Sequence, residues 1–155
     1  MGIEIERRFL VAGDDWRGQA LGRQRLVQGY LAREDGVVVR VRLADAGARL
    51  TIKGPGGLSR AEYEYEIPRD DAQTMLETLC RGRALAKTRH TVPHGALRWE
   101  VDVFEGVLAG LVIAEVELPA PDHPVALPPW VGAEITGDGR YANAALVSAS
   151  APPEG

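Results

Sequence analysis

The tightest constraint on this chain is a charge at every second residue in one short segment after another. Successive side chains of a β-strand point to opposite faces, so residues i and i+2 share one. On that reading Glu4, Glu6 and Arg8 lie on one face of a first strand, Arg40 and Arg42 on one face of a third, and Glu62, Glu64 and Glu66 on one face of a fifth. Lys87 and Arg89 follow on a sixth, Glu100 and Asp102 on a seventh, and Glu115 and Glu117 on an eighth. The intervening positions are apolar, among them Ile3 and Ile5, Val37, Val39, Val41 and Leu43, Tyr63 and Tyr65, Val101 and Val103, and Ala114, Val116 and Leu118. One such strand describes an ordinary sheet with a wet face. A wet face mixes Lys, Glu, Thr, Ser and Gln, whereas here acids and bases are segregated strand by strand.

Strands are expected at 3–11, 24–32, 37–43, 49–53, 61–67, 84–91, 97–104 and 111–118, joined at hairpin spacing by turns such as Asp35-Gly36 and Gly54-Pro55-Gly56-Gly57. Eight strands is a barrel-sized count. Helices are expected at 14–21, capped by Asp14 and stopped by Gly22, and from Pro68-Arg69-Asp70-Asp71, where Ala72, Met75, Leu76 and Leu79 recur at helical spacing and Gly82 follows. A third is expected at 140–148, where Arg140 and Asn143 lie at helical spacing and Arg140 either caps one end of the sheet or is a solvated helix residue. The proline-rich stretch from Pro119 to Pro129 reads as an irregular surface crossing. The 155 residues suit one domain, 1–150, with a frayed tail at 151–155.

If the sheet closes on itself, the charged faces point inward and the apolar faces outward, where the helices cover part of them. Unpaired ions in a closed interior would each cost several kcal/mol, so the lumen must be wet, internally paired and occupied by a charged ligand. Glu4, Glu6, Glu115 and Glu117 repel one another unless a cation sits between them, and all-oxygen ligation suits Mg²⁺ or Mn²⁺. Arg40, Arg42, Lys53, Lys87 and Arg89 form a cradle for a polyanion. Acids, metal and basic cradle together describe a site for a phosphate chain.

The bulk composition narrows the alternatives. A net charge of -4 argues against a nucleic-acid binder. No apolar run approaches the roughly 20 residues of a membrane helix. The charged start, MGIEIERRFLV, is unlike a signal peptide, so a cytoplasmic location is expected. The single cysteine, Cys80, reads as a small buried hydrophobe. Trp16, Trp99 and Trp130 read as packing residues, and His90, His94 and His123, which lack metal-ligand spacing, as surface or turn residues. The apolar strand faces make a homodimer an expectation.

The opening Glu4-Ile5-Glu6-Arg7-Arg8 resembles the ExExK signature of the CYTH, or triphosphate tunnel metalloenzyme, superfamily. The segments Gln28-Gly29-Tyr30-Leu31, Val39 to Leu43, Thr51-Ile52-Lys53, Gly57 to Glu64, Lys87-Thr88-Arg89, Trp99 to Phe104 and Ala114 to Leu118 follow in that family's order, and the chain is most similar to its short, single-domain bacterial members. The resemblance implies an α+β, mainly β fold, an eight-stranded antiparallel closed barrel with a few flanking helices. It also implies dependence on Mg²⁺ or Mn²⁺ and hydrolysis of inorganic triphosphate or a related triphosphate. By position it makes Glu4, Glu6, Glu115 and Glu117 metal ligands, and Glu62, Glu64, Glu100 and Asp102 auxiliary ligands or water-orienting groups. Arg8, Arg40, Arg42, Lys53, Lys87 and Arg89 would hold phosphates, Lys87 counting also among the catalytic groups. Arg8 stands where the family usually has Lys, which changes the geometry around one phosphate. The competing readings are a class IV-type adenylate cyclase, a thiamine triphosphatase and a non-catalytic polyphosphate-binding module.

Overall fold

The computed structural model describes residues 2–154. Its strands are β1 (Gly2–Val11), β2 (Gly22–Glu34), β3 (Val37–Ala44), β4 (Gly47–Lys53), β5 (Ser59–Ile67), β6 (Ala84–His94), β7 (Leu97–Phe104), β8 (Val112–Glu117) and β9 (Val131–Glu134). Two helices, α1 (Arg69–Thr78) and α2 (Asn143–Leu146), complete the regular structure with three short 3₁₀ turns. Every pairing is antiparallel, in the order β5-β4-β3-β2-β6-β7-β8-β1, and β1 pairs back onto β5 to close an eight-stranded barrel. Asp35 and Gly36 both take positive φ, 52° and 80°, as the two-residue β2–β3 hairpin requires.

The closing seam is short. Only Gly2 to Ile5 of β1 face Glu62 to Ser59 of β5, after which the two strands part. The rest of that β1 edge is taken over piecemeal: the Glu6 amide donates to the Leu58 carbonyl at 3.0 Å, the Arg8 amide to Thr136 Oγ1 at 2.9 Å, and the Ile135 amide to the Arg8 carbonyl at 2.8 Å. The ninth strand, β9, then pairs with Phe9 and Val11. These partners satisfy backbone groups that would otherwise face an open sheet edge. β9 was not expected from the sequence, because four residues containing Gly132 carry no alternation to read.

Apolar side chains on the outer faces of the barrel pack under the connections. Phe9, Trp99, Val101, Ala114 and Val116 are buried with Trp16 and Trp130, the latter from the end of the proline-rich crossing, which has no regular structure. Val41 and Ala48 are buried under Ala72 of α1 and Cys80. The approach is close: a Cβ on Gly29 would stand 2.7 Å from Cys80 Cβ, so α1 can lie down only over a glycine. Ile3, Tyr63 and Tyr65 on the same outer surface remain exposed.

Three expectations are corrected. The 14–21 segment is a 3₁₀ turn, Asp15–Gln19, too short and glycine-broken for an α-helix; the Asp14 carboxylate accepts from Arg17 instead of capping, and Gly22 opens β2. His90, expected at the surface, is buried edge-on to Trp16. The segment expected as a helix at 140–148 forms a 3₁₀ turn at Gly139–Tyr141 and then α2, and it does not cover the outside. Tyr141, Leu146 and Val147 are buried with Tyr30, Val38, Leu85, Phe104 and Ile113, residues on the inward faces of their strands. The interior is therefore charged along part of its length and apolar where the C-terminal segment plugs it.

Leu146, 1% exposed, sits in this plug, whereas Leu79 after α1 is 55% exposed. Leu146→Ala is expected to lower the unfolding free energy by about 2–5 kcal/mol and Leu79→Ala by less than about 1 kcal/mol in urea titrations. Equal effects would contradict the plug.

Candidate active site

The inward faces of the strands surround a cavity of about 420 Å³. Glu4, Glu6 and Arg8 reach it from β1, Arg40 and Arg42 from β3, Lys53 from β4, Glu62 and Glu64 from β5, Lys87 and Arg89 from β6, Glu100 from β7, and Glu115 and Glu117 from β8. A second cavity of about 570 Å³ opens towards the other end of the barrel past Gln24, Arg49 and Glu66. Arg42, Glu64, Arg89 and Glu100 line both, so this layer separates the two chambers. The alternation in sequence thus brings the charged positions of seven strands to one interior.

At the centre, Asp102 is fully buried and Lys87 nearly so. Arg89 grips Asp102 with two parallel bonds, Nε to Oδ1 at 2.8 Å and Nη2 to Oδ2 at 2.9 Å, and Lys87 Nζ lies 2.7 Å from Oδ2. Burial pushes the Asp102 carboxyl towards its neutral form, but Arg89 and Lys87 outweigh it and hold it ionised, far below the usual range. Burial lowers the Lys87 pKa to about 7 against the pull of Asp102. Glu115 accepts from Arg8 Nε at 3.0 Å and Arg89 Nη2 at 3.1 Å; burial opposes its charge, yet Arg89 and Arg8 bring its pKa down to about 2.

The remaining groups divide by partner. Lys53 Nζ lies between Glu4, at 2.9 Å, and Glu62, at 3.5 Å. Glu64 accepts from Thr51 Oγ1 at 3.0 Å and from Arg49, and Arg40 donates to Thr51. Glu100 stands 3.4 Å from Arg89, and burial raises its pKa. Glu117 is exposed at the cavity wall, opposite Glu6 in register. Arg42 differs from all of these: its Nε donates to the neutral Gln28 Oε1 at 2.9 Å, and burial with Arg40 and Arg89 nearby lowers its pKa to about 9.

Glu6 is the acid counterpart of Arg42. Burial first, then the charges of Glu115 and Glu4, raise its pKa to about 8. Carboxylates in this corner repel one another, and their all-oxygen donor set suits a hard divalent cation. Glu4, Glu6, Glu115 and Glu117 are the residues able to hold one. As they stand, Glu4 is turned to Lys53 and Glu115 to Arg8 and Arg89, and no three acidic, His or Cys groups among the described residues form a ready metal cluster.

The sequence reading gives no site role to three neutral polar residues that line this interior, Thr51, Gln28 and Asn143. Thr51 lies between Arg49 and Lys53 on the inward face of β4, so its parity could have found it. Gln28 shares the inward parity of Tyr30 and stands opposite Arg42. Asn143 of α2 accepts from Lys87 Nζ at 2.9 Å, which no strand pattern could signal. Arg140 pairs with Asp138 and donates to the Glu154 carbonyl.

The Glu6 shift has a sign that can be checked. A carboxyl whose folded pKa is raised from 4.5 to about 8 supports the fold below pH 4.5 and loses that support as pH climbs to 8, because the folded state retains a proton that the unfolded state releases. In the presence of EDTA, Glu6→Gln is expected to melt above the wild type at pH 8 and close to it at pH 4.5. A variant less stable than wild type at pH 8 would contradict the shift.

Comparison with known proteins fits this geometry. The CYTH domain family model matches residues 2–142. An inorganic triphosphatase of Acetivibrio thermocellus is 45% identical over 148 residues, covering 95% of this chain and 94% of the relative. One from Nitrosomonas europaea is 42% identical, covering 92% and 95%. The crystal structure of an inorganic triphosphatase superposes with a TM-score of 0.70 at 34% identity, covering 94% of this chain and 95% of that one. A barrel lined by paired acids and bases, together with a family match across almost its whole length, shows that this chain belongs to the CYTH domain family.

Proposed function

We propose that this protein hydrolyses inorganic triphosphate to pyrophosphate and orthophosphate, using Mg²⁺ or Mn²⁺. One observation carries the reading: inside the barrel, cationic donors remain that no carboxylate takes up. Arg42 is held by Gln28 rather than by an acid, and Arg8 Nη2 and Arg40 Nε are buried with no hydrogen-bond partner. Buried donors of this kind match the dense negative charge of a phosphate chain. Tyr30 is the one aromatic residue among those lining the cavity, which offers no stacking clamp for a nucleobase or thiazolium. The relatives named inorganic triphosphatases support the same substrate.

In this mechanism Arg8, Arg40, Arg42, Lys53, Lys87 and Arg89 bind and orient the phosphates. A water attacks a terminal phosphorus in line with the bridging oxygen, that P–O bond breaks, pyrophosphate leaves, and the water's proton passes to solvent. Glu4, Glu6, Glu115 and Glu117 would hold the divalent cation, which when bound neutralises phosphate oxygens and lowers the pKa of a ligated water. Glu62, Glu64, Glu100 and Asp102 serve the site differently: Asp102 fixes Lys87 and Arg89, while Glu62, Glu64 and Glu100, each only partly enclosed, orient water or assist the metal. Lys87 and Arg42 stabilise charge spreading over the transferred group.

Phosphate release is expected from inorganic triphosphate with Mg²⁺ or Mn²⁺, weakly or not at all from ATP and thiamine triphosphate, and not after chelation. Glu6→Gln and Glu117→Gln should abolish turnover with the fold intact, and Arg42→Gln and Lys87→Ala should raise KM. Tight triphosphate binding without phosphate release would instead identify a binding module, and cyclic AMP formed from ATP a cyclase.

A further inference from the structure

The inner cations are held in two ways. Arg8 and Lys53 lie against carboxylates, which largely cancel their charge at short range. Lys87 also has a carboxylate, Asp102, at 2.7 Å, but it is joined in addition to Arg42, which has none among the described residues, by a chain of neutral carboxamides. Arg42 Nε donates to Gln28 Oε1 at 2.9 Å, Gln28 Nε2 donates to Asn143 Oδ1 at 3.2 Å, and Lys87 Nζ donates to the same oxygen at 2.9 Å. The direction of every bond is settled from the Arg42 end, since a guanidinium only donates. Gln28 must present its oxygen to Arg42 and its nitrogen to Asn143, and Asn143 must present its oxygen to Lys87. Both acceptor positions of Asn143 Oδ1 are thereby used.

We propose that Asn143 is a positioning residue through which the C-terminal plug aims Lys87 at the substrate; the proposal rests on the triphosphatase reading and extends it. A neutral acceptor fixes the direction of the Lys87 amine without adding to the negative charge that Asp102 already sets against it, and so leaves room for a phosphate oxygen. A second carboxylate here would hold Lys87 as firmly but oppose an anion. Asp102, which Lys87 shares with Arg89, anchors the amine from one side, and Asn143 supplies the second direction that an ammonium on a flexible stem needs. Asn143 itself is placed by Tyr141, Leu146 and Val147, whose apolar side chains seat α2 in the barrel. Packing at the chain's end and chemistry at its centre thus meet in one carboxamide.

The test is a double-mutant cycle on the full chain with triphosphate as substrate. Asn143→Leu removes the acceptor and keeps the bulk; it should stay folded at the assay temperature with Tm lowered by a few degrees, since Gln28 Nε2 and Lys87 Nζ lose a partner, and kcat/KM should fall about 10- to 100-fold, the scale for losing a group that orients a functional one. Asn143→Ala, which cannot overpack, serves as the second variant and should behave alike. Asn143→Asp should keep kcat within a few-fold of wild type and raise KM. If Asn143 acts through Lys87, adding Asn143→Leu to Lys87→Ala costs nothing further. Wild-type kinetics in both Asn143→Leu and Asn143→Ala, or losses that simply multiply with that of Lys87→Ala, would overturn the role of Asn143 and leave the triphosphatase reading standing. A wild-type protein that releases no phosphate from triphosphate would overturn that reading, and the inference with it.

Discussion

A carboxylate without access to water, Asp102, holds Lys87 and Arg89 from a single pair of oxygens, and the charged interior is organised around it. A lone ion at that depth would cost several kcal/mol. Two cations on one acid leave the triad with a net positive charge, and Glu115 offsets part of it through Arg89. Arg42 and the unpartnered nitrogens of Arg8 and Arg40 add further positive charge. On the other side of Glu115 lies Glu6, where burial and the charges of Glu115 and Glu4 outweigh Lys53 and Arg8 and drive the carboxyl towards its neutral form. The interior is thus polarised into a corner that favours a cation and a wall that favours an anion. A metal-bound phosphate chain satisfies both.

Such an interior needs the fold to exclude bulk water from one end. The barrel closes over only four residues of β1 and β5, and the remaining edge of β1 is completed by Leu58, Thr136, Ile135 and β9. The same C-terminal stretch then turns inward and packs α2 against Tyr30, Leu85, Phe104 and Ile113. Strand parity puts these apolar residues on the same faces as Gln28, Lys87, Asp102 and Glu115. The inside of the barrel is therefore divided along its axis, with a dry plug at one end and charge beyond it. Asn143 lies at the boundary and contacts both.

Much of this was legible in the sequence, because a period of two in charge is a direct statement of which residues share a face. Glu4, Glu6, Arg40, Arg42, Glu115 and Glu117 could be assigned to one surface before any pairing was known, and eight strands with short turns left a barrel as the natural closure. What period-two reading cannot supply is the tertiary placement of a short terminal helix. The segment after Arg140 looked like an outer cover, yet its Leu146 and Val147 fit a vacancy between inward apolar residues that the strand reading had not separated from the charged ones. Gln28 and Asn143 carried no charge to betray them, although Gln28 sits in register with Arg42. Arg8 was placed correctly on the charged face, and its partner proved to be Glu115.

The central claim is that a polyphosphate binds within the charged lumen rather than on the outer surface. A crystal structure of the Glu6→Gln variant soaked with triphosphate and Mn²⁺ tests it most directly. Phosphate density inside the barrel, within hydrogen-bond reach of Arg42, Arg40 and Lys87, is the expected result. Density confined to the outer surface, with the lumen holding only water, would contradict the account.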